Sequence, residues 1–230
     1  MAAAATLQDG FQDNVRNTAL WTTGYFEFAA AGSTVAESGQ TVDVTLLGNT
    51  GGVYYNGFLS VNAYDMTGSE FVARLVTAPN VAGAAEGVFA AYLDANNAAA
   101  FIISGATIAA RGRLAGSNAN VASVAYVPAT HAWLRIREAG GTTFWDTAPS
   151  TASNPPVGGD WVNLTSAVNS ITMTAIKACI GGGVYNADIS PGHAVWDGFN
   201  AATTSTVGDV SGFPFEDTRH RAQMMAILAQ

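Results

Sequence analysis

Thr41-Val42-Asp43-Val44-Thr45-Leu46-Leu47, the end of a stretch read as one strand from Thr34, sets Val42, Val44 and Leu46 against Thr41, Asp43 and Thr45. A strict period of two sends successive side chains to opposite faces, which is the pattern of a half-buried β-strand. The same alternation returns at Ile108, Ala110, Gly112 and Leu114 against Arg111 and Arg113. It returns again at Leu134 and Ile136 against Arg135 and Arg137. Both arginine pairs are expected to project from one sheet face.

Working outward, further short runs follow at 54–60, 71–77, 87–93, 101–104, 121–127, 142–147, 171–180 and 194–200. Turn clusters separate nearly all of them: Gly51-Gly52, Ala78-Pro79-Asn80, Asp94-Ala95-Asn96-Asn97, Gly116-Ser117-Asn118 and Gly140-Gly141. Such residues supply a positive or a fixed φ where the chain must reverse. Many short strands at near-regular spacing predict an all-β, two-sheet antiparallel sandwich. No helical period precedes residue 215, which excludes an alternating α/β fold. The reading divides the chain into a sandwich over 1–200, a linker over 201–214 and a helical tail over 215–230. In the tail Asp217 or Thr218 can cap a helix on which Ala222, Met224, Met225, Leu228 and Ala229 form adjoining apolar stripes. That helix either folds back on its own sandwich or docks on another subunit.

Composition limits the function classes. Of 230 residues, 49% are hydrophobic and 11% charged, so a large core is expected and disorder is not. No apolar run reaches the roughly 18 residues of a membrane helix, so a soluble chain without membrane insertion is expected. The opening Met1-Ala2-Ala3-Ala4-Ala5-Thr6 lacks the basic and long apolar regions of a secretory leader, so the usual export route is not expected. A net charge of −8 with a single lysine, Lys177, argues against nucleic acid as a partner. Cys179 is the one cysteine, which rules out an internal disulfide; it reads as a small buried strand residue.

Catalytic signatures are sparse. Glu37, Glu70, Glu86 and Glu138 each lack a second carboxylate two to four residues away on a strand, so each reads as a solvated surface group. His131, His193 and His220 have no metal-ligand spacing. Gly181-Gly182-Gly183 carries no phosphate-binding pattern and is expected to permit tight strand approach or a bulge. No catalytic residue, cofactor or metal is therefore assigned. For binding, Trp133, Arg135 and Arg137 share a face by alternation. With Arg111 and Arg113 on a nearby strand they would form an arginine-rich, aromatic-edged patch for glycans. The alternative is that these arginines only solvate an outer sheet face while Trp133 fills the core. Tyr54, Tyr55, Trp145 and Trp161 read equally as packing residues or ligand platforms.

Four segments resemble the concanavalin A-like, laminin-G-like jelly-roll domains carried by bacteriophage virion proteins and bacterial surface proteins. Leu7-Gln8-Asp9-Gly10-Phe11, with Trp21 downstream, is similar to that family's first strand. Val195-Trp196-Asp197-Gly198-Phe199-Asn200 is similar to its returning last strand, and in the family these two lie close together. His131 to Glu138, followed by Thr143-Phe144-Trp145-Asp146-Thr147 and Trp161, resembles its paired middle strands, and Tyr64 to Ser69 its aspartate-containing turn. The resemblance spans roughly residues 7 to 200 and implies a jelly roll with a structural or carbohydrate-binding role. Relatives built as glycoside hydrolases carry a Glu-x-Asp-x-Glu type motif, absent here, and no complete calcium ligand set matches.

On these grounds the sequence leads to a non-enzymatic phage virion protein, a minor tail or capsid-decorating subunit assembled in the host cytoplasm and displayed on the virion surface. Other virion proteins, a host-surface polysaccharide and further copies of the chain are its expected partners. The alternatives are a free-standing carbohydrate-binding module and, behind it, a jelly-roll glycoside hydrolase whose carboxylates converge from separate strands.

Overall fold

The computed structural model describes residues 1–24, 33–48, 52–80, 83–104 and 106–203. The 215–230 tail, with Ala222, Met224, Met225 and Leu228, lies outside the described residues, as does His220. No helix among the described residues is long and apolar enough to cross a membrane.

Fourteen strands are described: β1 (Trp21–Thr23), β2 (Thr34–Ser38), β3 (Thr41–Thr45), β4 (Tyr54–Ser60), β5 (Glu70–Thr77), β6 (Ala85–Asp94), β7 (Asn97–Ser104), β8 (Thr107–Leu114), β9 (Ser117–Ala125), β10 (Trp133–Ala139), β11 (Thr142–Ala148), β12 (Val162–Val168), β13 (Lys177–Val184) and β14 (His193–Asp197). They form two seven-stranded sheets. The first runs β1-β4-β13-β6-β7-β8-β9 and the second β12-β11-β10-β5-β14-β3-β2. Every pairing between these strands is antiparallel. This is the expected jelly-roll sandwich. The β10–β11 hairpin turns on Gly140 and Gly141, with φ of +60° and +81°, values that a side chain at either position would strain.

Period-two alternation places one side of each strand in the shared core. Val42 and Val44 are fully buried and Leu46 nearly so, as the opening heptapeptide predicts. The two sheets are joined by aromatic rings. Phe199 is completely buried, with ring centroids 5.1 Å from Trp21, 5.5 Å from Phe71 and 6.1 Å from Phe89, so it touches strands of both sheets. The chain is held there by reciprocal backbone bonds, Asp9 N–H to Phe199 O at 2.9 Å and Phe199 N–H to Asp9 O at 2.8 Å. The Trp21 indole N–H donates to the Asp9 carboxylate at 2.9 Å. The opening and returning segments therefore do lie together, though through a single bridge rather than a full strand pair.

Several strands depart from the sequence pattern. β1 falls in none of the predicted runs, and the stretch 34–47, read as one strand, is β2 and β3 separated by a turn at Gly39 and Gln40. β12 is an edge strand, exposed along most of its length and shifted in register against β11, so it has no clean apolar face to read. β13 continues straight through the three glycines instead of stopping at Ile180.

The expectation that lone carboxylates are solvated is corrected at Glu37, Glu86 and Glu138, which are 8%, 5% and 5% exposed. Glu138 accepts from the Gly68 and Gly141 amides at 2.6 and 2.7 Å, closing two turns. Glu37 has no such donors: both oxygens are buried without a hydrogen-bond partner. Burial, then the neighbouring Asp13 and Asp9 carboxylates, push its pKa up to about 7.

Two outcomes follow. Phe199→Ala should cost about 3–5 kcal/mol in urea unfolding, because the cavity it opens spans both sheets. Glu37 binds its proton more tightly folded than unfolded, so its favourable contribution is complete below its ordinary pKa of 4.5 and is lost as pH rises through about 7. Glu37→Gln should therefore raise the melting temperature at pH 8 relative to the parent and have little effect at pH 4.

Candidate functional site

The outer face of the first sheet is built by strand parity. On β6, Ala85, Phe89 and Ala91 belong to the main core, while Val88 and Ala90 belong to a separate buried cluster with Ala100, Ile102 and Cys179. Glu86 shares the parity of Val88 and Ala90 and therefore this outer face. Cys179 is fully buried there, and burial raises its thiol pKa well above the ordinary value, in keeping with the structural reading.

Three residues align across the sheet in register: Tyr55 on β4 faces Gly183 on β13, and Gly183 faces Glu86 on β6. The absence of a side chain at Gly183 lets the Tyr55 ring lie across it. A Cβ at Gly183 would stand 2.1 Å from Tyr55 Cδ1 and 2.4 Å from the Tyr54 carbonyl oxygen. Across that gap the Tyr55 hydroxyl donates to Glu86 Oε2 at 2.6 Å. The glycine run thus permits the tight approach expected of it, and the approach creates a phenol–carboxylate pair between strands that do not touch.

Arg111 completes the group from β8. Its Nη1 stands 3.6 Å from Glu86 Oε1, and its Nε–H donates to Asn120 Oδ1 at 3.1 Å. Burial raises the Tyr55 pKa, and the Glu86 charge adds to the effect, while Arg111 opposes it. Tyr55 is accordingly a neutral hydrogen-bond donor at neutral pH. A hydroxyl within hydrogen-bond reach of a carboxylate that a third group orients is the arrangement of a nucleophile with its base. Tyr55, Glu86, Ser104, Arg111, Asn120 and Tyr185 are among the groups lining a cavity of about 670 Å³ on this face. The positions two and four residues on from Glu86 are Val88 and Ala90, so the Glu-x-Asp-x-Glu pattern is indeed missing from this strand.

The predicted glycan patch does not form one surface. Arg111 and Arg113 lie on the outer face of the first sheet, whereas Trp133, Arg135 and Arg137 lie on β10 of the second. Equal alternation could not reveal that the two strands belong to different sheets. Arg113 donates to the Ala95 carbonyl oxygen at 2.7 Å. On the second sheet the almost fully buried Asp146 accepts from Arg135 at 3.0 Å and Arg137 at 2.7 Å. Arg135 also stacks over Trp161 at 4.3 Å and Arg137 over Phe144 at 3.8 Å. Trp133 is 2% exposed. These arginines meet their charge and bonding needs within the protein, and Trp133 is buried outside the main core, in a separate cluster with Val72, Ala132 and Ala148.

The sequence reads Glu86 as a lone solvated carboxylate and leaves Tyr55 open between packing and ligand contact, so it does not join the two. The glycine run was the available signal, since three glycines in a strand mark a neighbour that needs their space. His131 is buried beside Tyr126 and accepts the Val127 amide at its Nδ1; burial lowers its pKa. His193 pairs with Asp43 at 2.8 Å on the surface. Among the described residues no group of three or more His, Cys, Asp or Glu side chains is arranged to hold a metal ion.

No protein-family model matches the sequence, and no curated protein is similar to it at a significant level. The fold is similar to solved structures. A Bacillus licheniformis β-glucanase matches with a TM-score of 0.57 and 15% identity over 84% of this chain and 94% of its own. A β-1,3-1,4-glucanase (lichenase) from a mouse hindgut metagenome matches at 0.56 and 9% over 84% and 97%. A β-1,3-glucanase from Mycobacterium marinum matches at 0.56 and 9% over 84% and 96%. These likenesses overturn the expectation of a non-enzymatic phage virion subunit. The neighbours of the fold are glycoside hydrolases, and nothing among them points to a virion protein. A jelly roll read without its pairings does not by itself distinguish the two kinds of protein. What the identity level establishes is the fold: the chain is a concanavalin A-like jelly-roll sandwich.

Proposed function

We propose that this protein is a carbohydrate-active enzyme that cleaves a glycosidic bond on the outer face of its first sheet, with Tyr55 and Glu86 as the reacting pair. The observation that carries the reading is the 2.6 Å hydrogen bond from Tyr55 to Glu86 inside a cavity large enough for sugar residues. The fold neighbours named as glucanases support the substrate class.

Most glycosidases use two carboxylates, but a tyrosine can replace the nucleophilic one. In the first step the Tyr55 Oη forms a bond to the anomeric carbon as the glycosidic C–O bond breaks. The phenol proton passes to Glu86, and the departing oxygen takes a proton from solvent. In the second step water adds to the anomeric carbon, the bond to Tyr55 breaks, and Glu86 returns its proton to the phenolate while the water's second proton goes to solvent. Glu86 serves as general base and then acid, and Arg111 stands beside the reacting pair with its Nη1 3.6 Å from Glu86 Oε1. Tyr55 starts as the neutral phenol, so the base must act during attack rather than before it.

Release of reducing ends from a panel of purified polysaccharides tests the reading. Glu86→Gln and Tyr55→Phe should each lower kcat by about 10²–10⁴-fold while glycan binding persists. Gly183→Ala, which drives the Tyr55 ring off its seat, should lower kcat similarly with both reacting groups still present and cost about 1–3 kcal/mol of stability. Glycan binding with no turnover by the parent protein would overturn the catalytic assignment.

A further inference from the structure

We propose that the sugar cleaved in this cavity is anionic, carrying a carboxylate or sulfate group that Arg111 receives; the inference rests on the catalytic reading of Tyr55 and Glu86. Charge placement carries it first. The chain has 17 acidic and 9 basic residues. Yet the strands of the first sheet carry Arg111, Arg113 and Lys177 against Glu86 and Asp94, so this sheet inverts the balance of the whole chain. Val88 and Ala90, which share the outer face with Glu86, add no negative charge to the floor.

The second argument is the geometry of Arg111. At 3.6 Å its contact with Glu86 is longer than a charge-assisted hydrogen bond, and its Nε–H is turned by Asn120. The guanidinium is thereby steered beside the reacting pair without being clamped on the carboxylate. An arginine in that position matches the planar, two-oxygen face of a carboxylate or the oxygens of a sulfate ester.

The third argument is the nature of the attacking group. A carboxylate nucleophile next to an anionic sugar would meet like charge at the point of bond formation. A neutral phenol, with its base set one hydrogen bond behind, attacks without that repulsion. The Tyr55–Glu86 pair therefore sets its negative charge one hydrogen bond back from the point of attack on an anionic substrate. One charged recognition group, one neutral nucleophile and a floor free of other carboxylates agree with one another for such a substrate.

The experiment compares initial rates of the full-length protein on neutral, uronate-containing and sulfate-ester glycans of matched linkage, as salt is raised. The expected result is a kcat/KM about ten-fold or more higher on one anionic class, falling with salt, and the uronate and sulfate arms identify which group is read. Arg111→Gln should erase most of that preference through KM. A melting curve confirms that the variant folds, and if it does not, the salt dependence of the parent decides. Glu86-dependent cleavage of neutral glycans with no anionic preference would overturn this inference and leave the catalytic reading intact. Absence of cleavage on every class would overturn both.

Discussion

The sandwich depends on one aromatic contact set: Phe199 packed against Trp21, Phe71 and Phe89. Two sheets can face one another only if side chains from both fill the space between them, and large rings bury the most area per residue. Phe199 reaches that position because the returning chain is pinned to Asp9 by a pair of backbone bonds, while the other end of Asp9 takes the Trp21 indole. The first and last described segments thus close on each other at the same point where the sheets are joined. The strand order of each sheet is consistent with that closure.

A rigid double layer gives the outer face of the first sheet its value as a platform. Tyr55, Gly183 and Glu86 occupy neighbouring strands in one row, so their separation is set by strand spacing, not by loop conformation. The glycine opens the row, the phenol spans it, and the carboxylate accepts its hydrogen bond at 2.6 Å. The second sheet makes the opposite use of its outer face. There Asp146 gathers Arg135 and Arg137, and aromatic rings cover the guanidinium groups, leaving a surface already matched to itself. Two faces with similar residue types therefore differ in what they can offer a ligand. One is internally satisfied, while the other gathers a carboxylate, a phenol and a cation around a cavity.

The sequence alone determined the fold class. Alternation at 41–47, 108–114 and 133–137 and the turn clusters between runs were enough for an antiparallel sandwich, because burial on one face forces period two and reversal forces special φ. It also gave the bounds of β4 to the residue, placed Val42 and Val44 in the core, and marked Gly181 to Gly183 as a place of close approach. Where the pattern is weak, as on the exposed edge strand β12, the reading failed because no buried face constrained the residues.

Only the tertiary structure decided which alternating strands share a sheet. Arg111 and Arg135 carry the same local pattern yet lie on opposite sides of the molecule, since parity fixes a face and says nothing of which layer owns it. The Tyr55–Glu86 pair was hidden for the same reason: 31 positions separate the two residues, and the strand lying between them, β13, comes from a third part of the chain. Local composition determines how each segment buries its own side chains, whereas a site assembled from three strands exists only once non-local pairing has set their order.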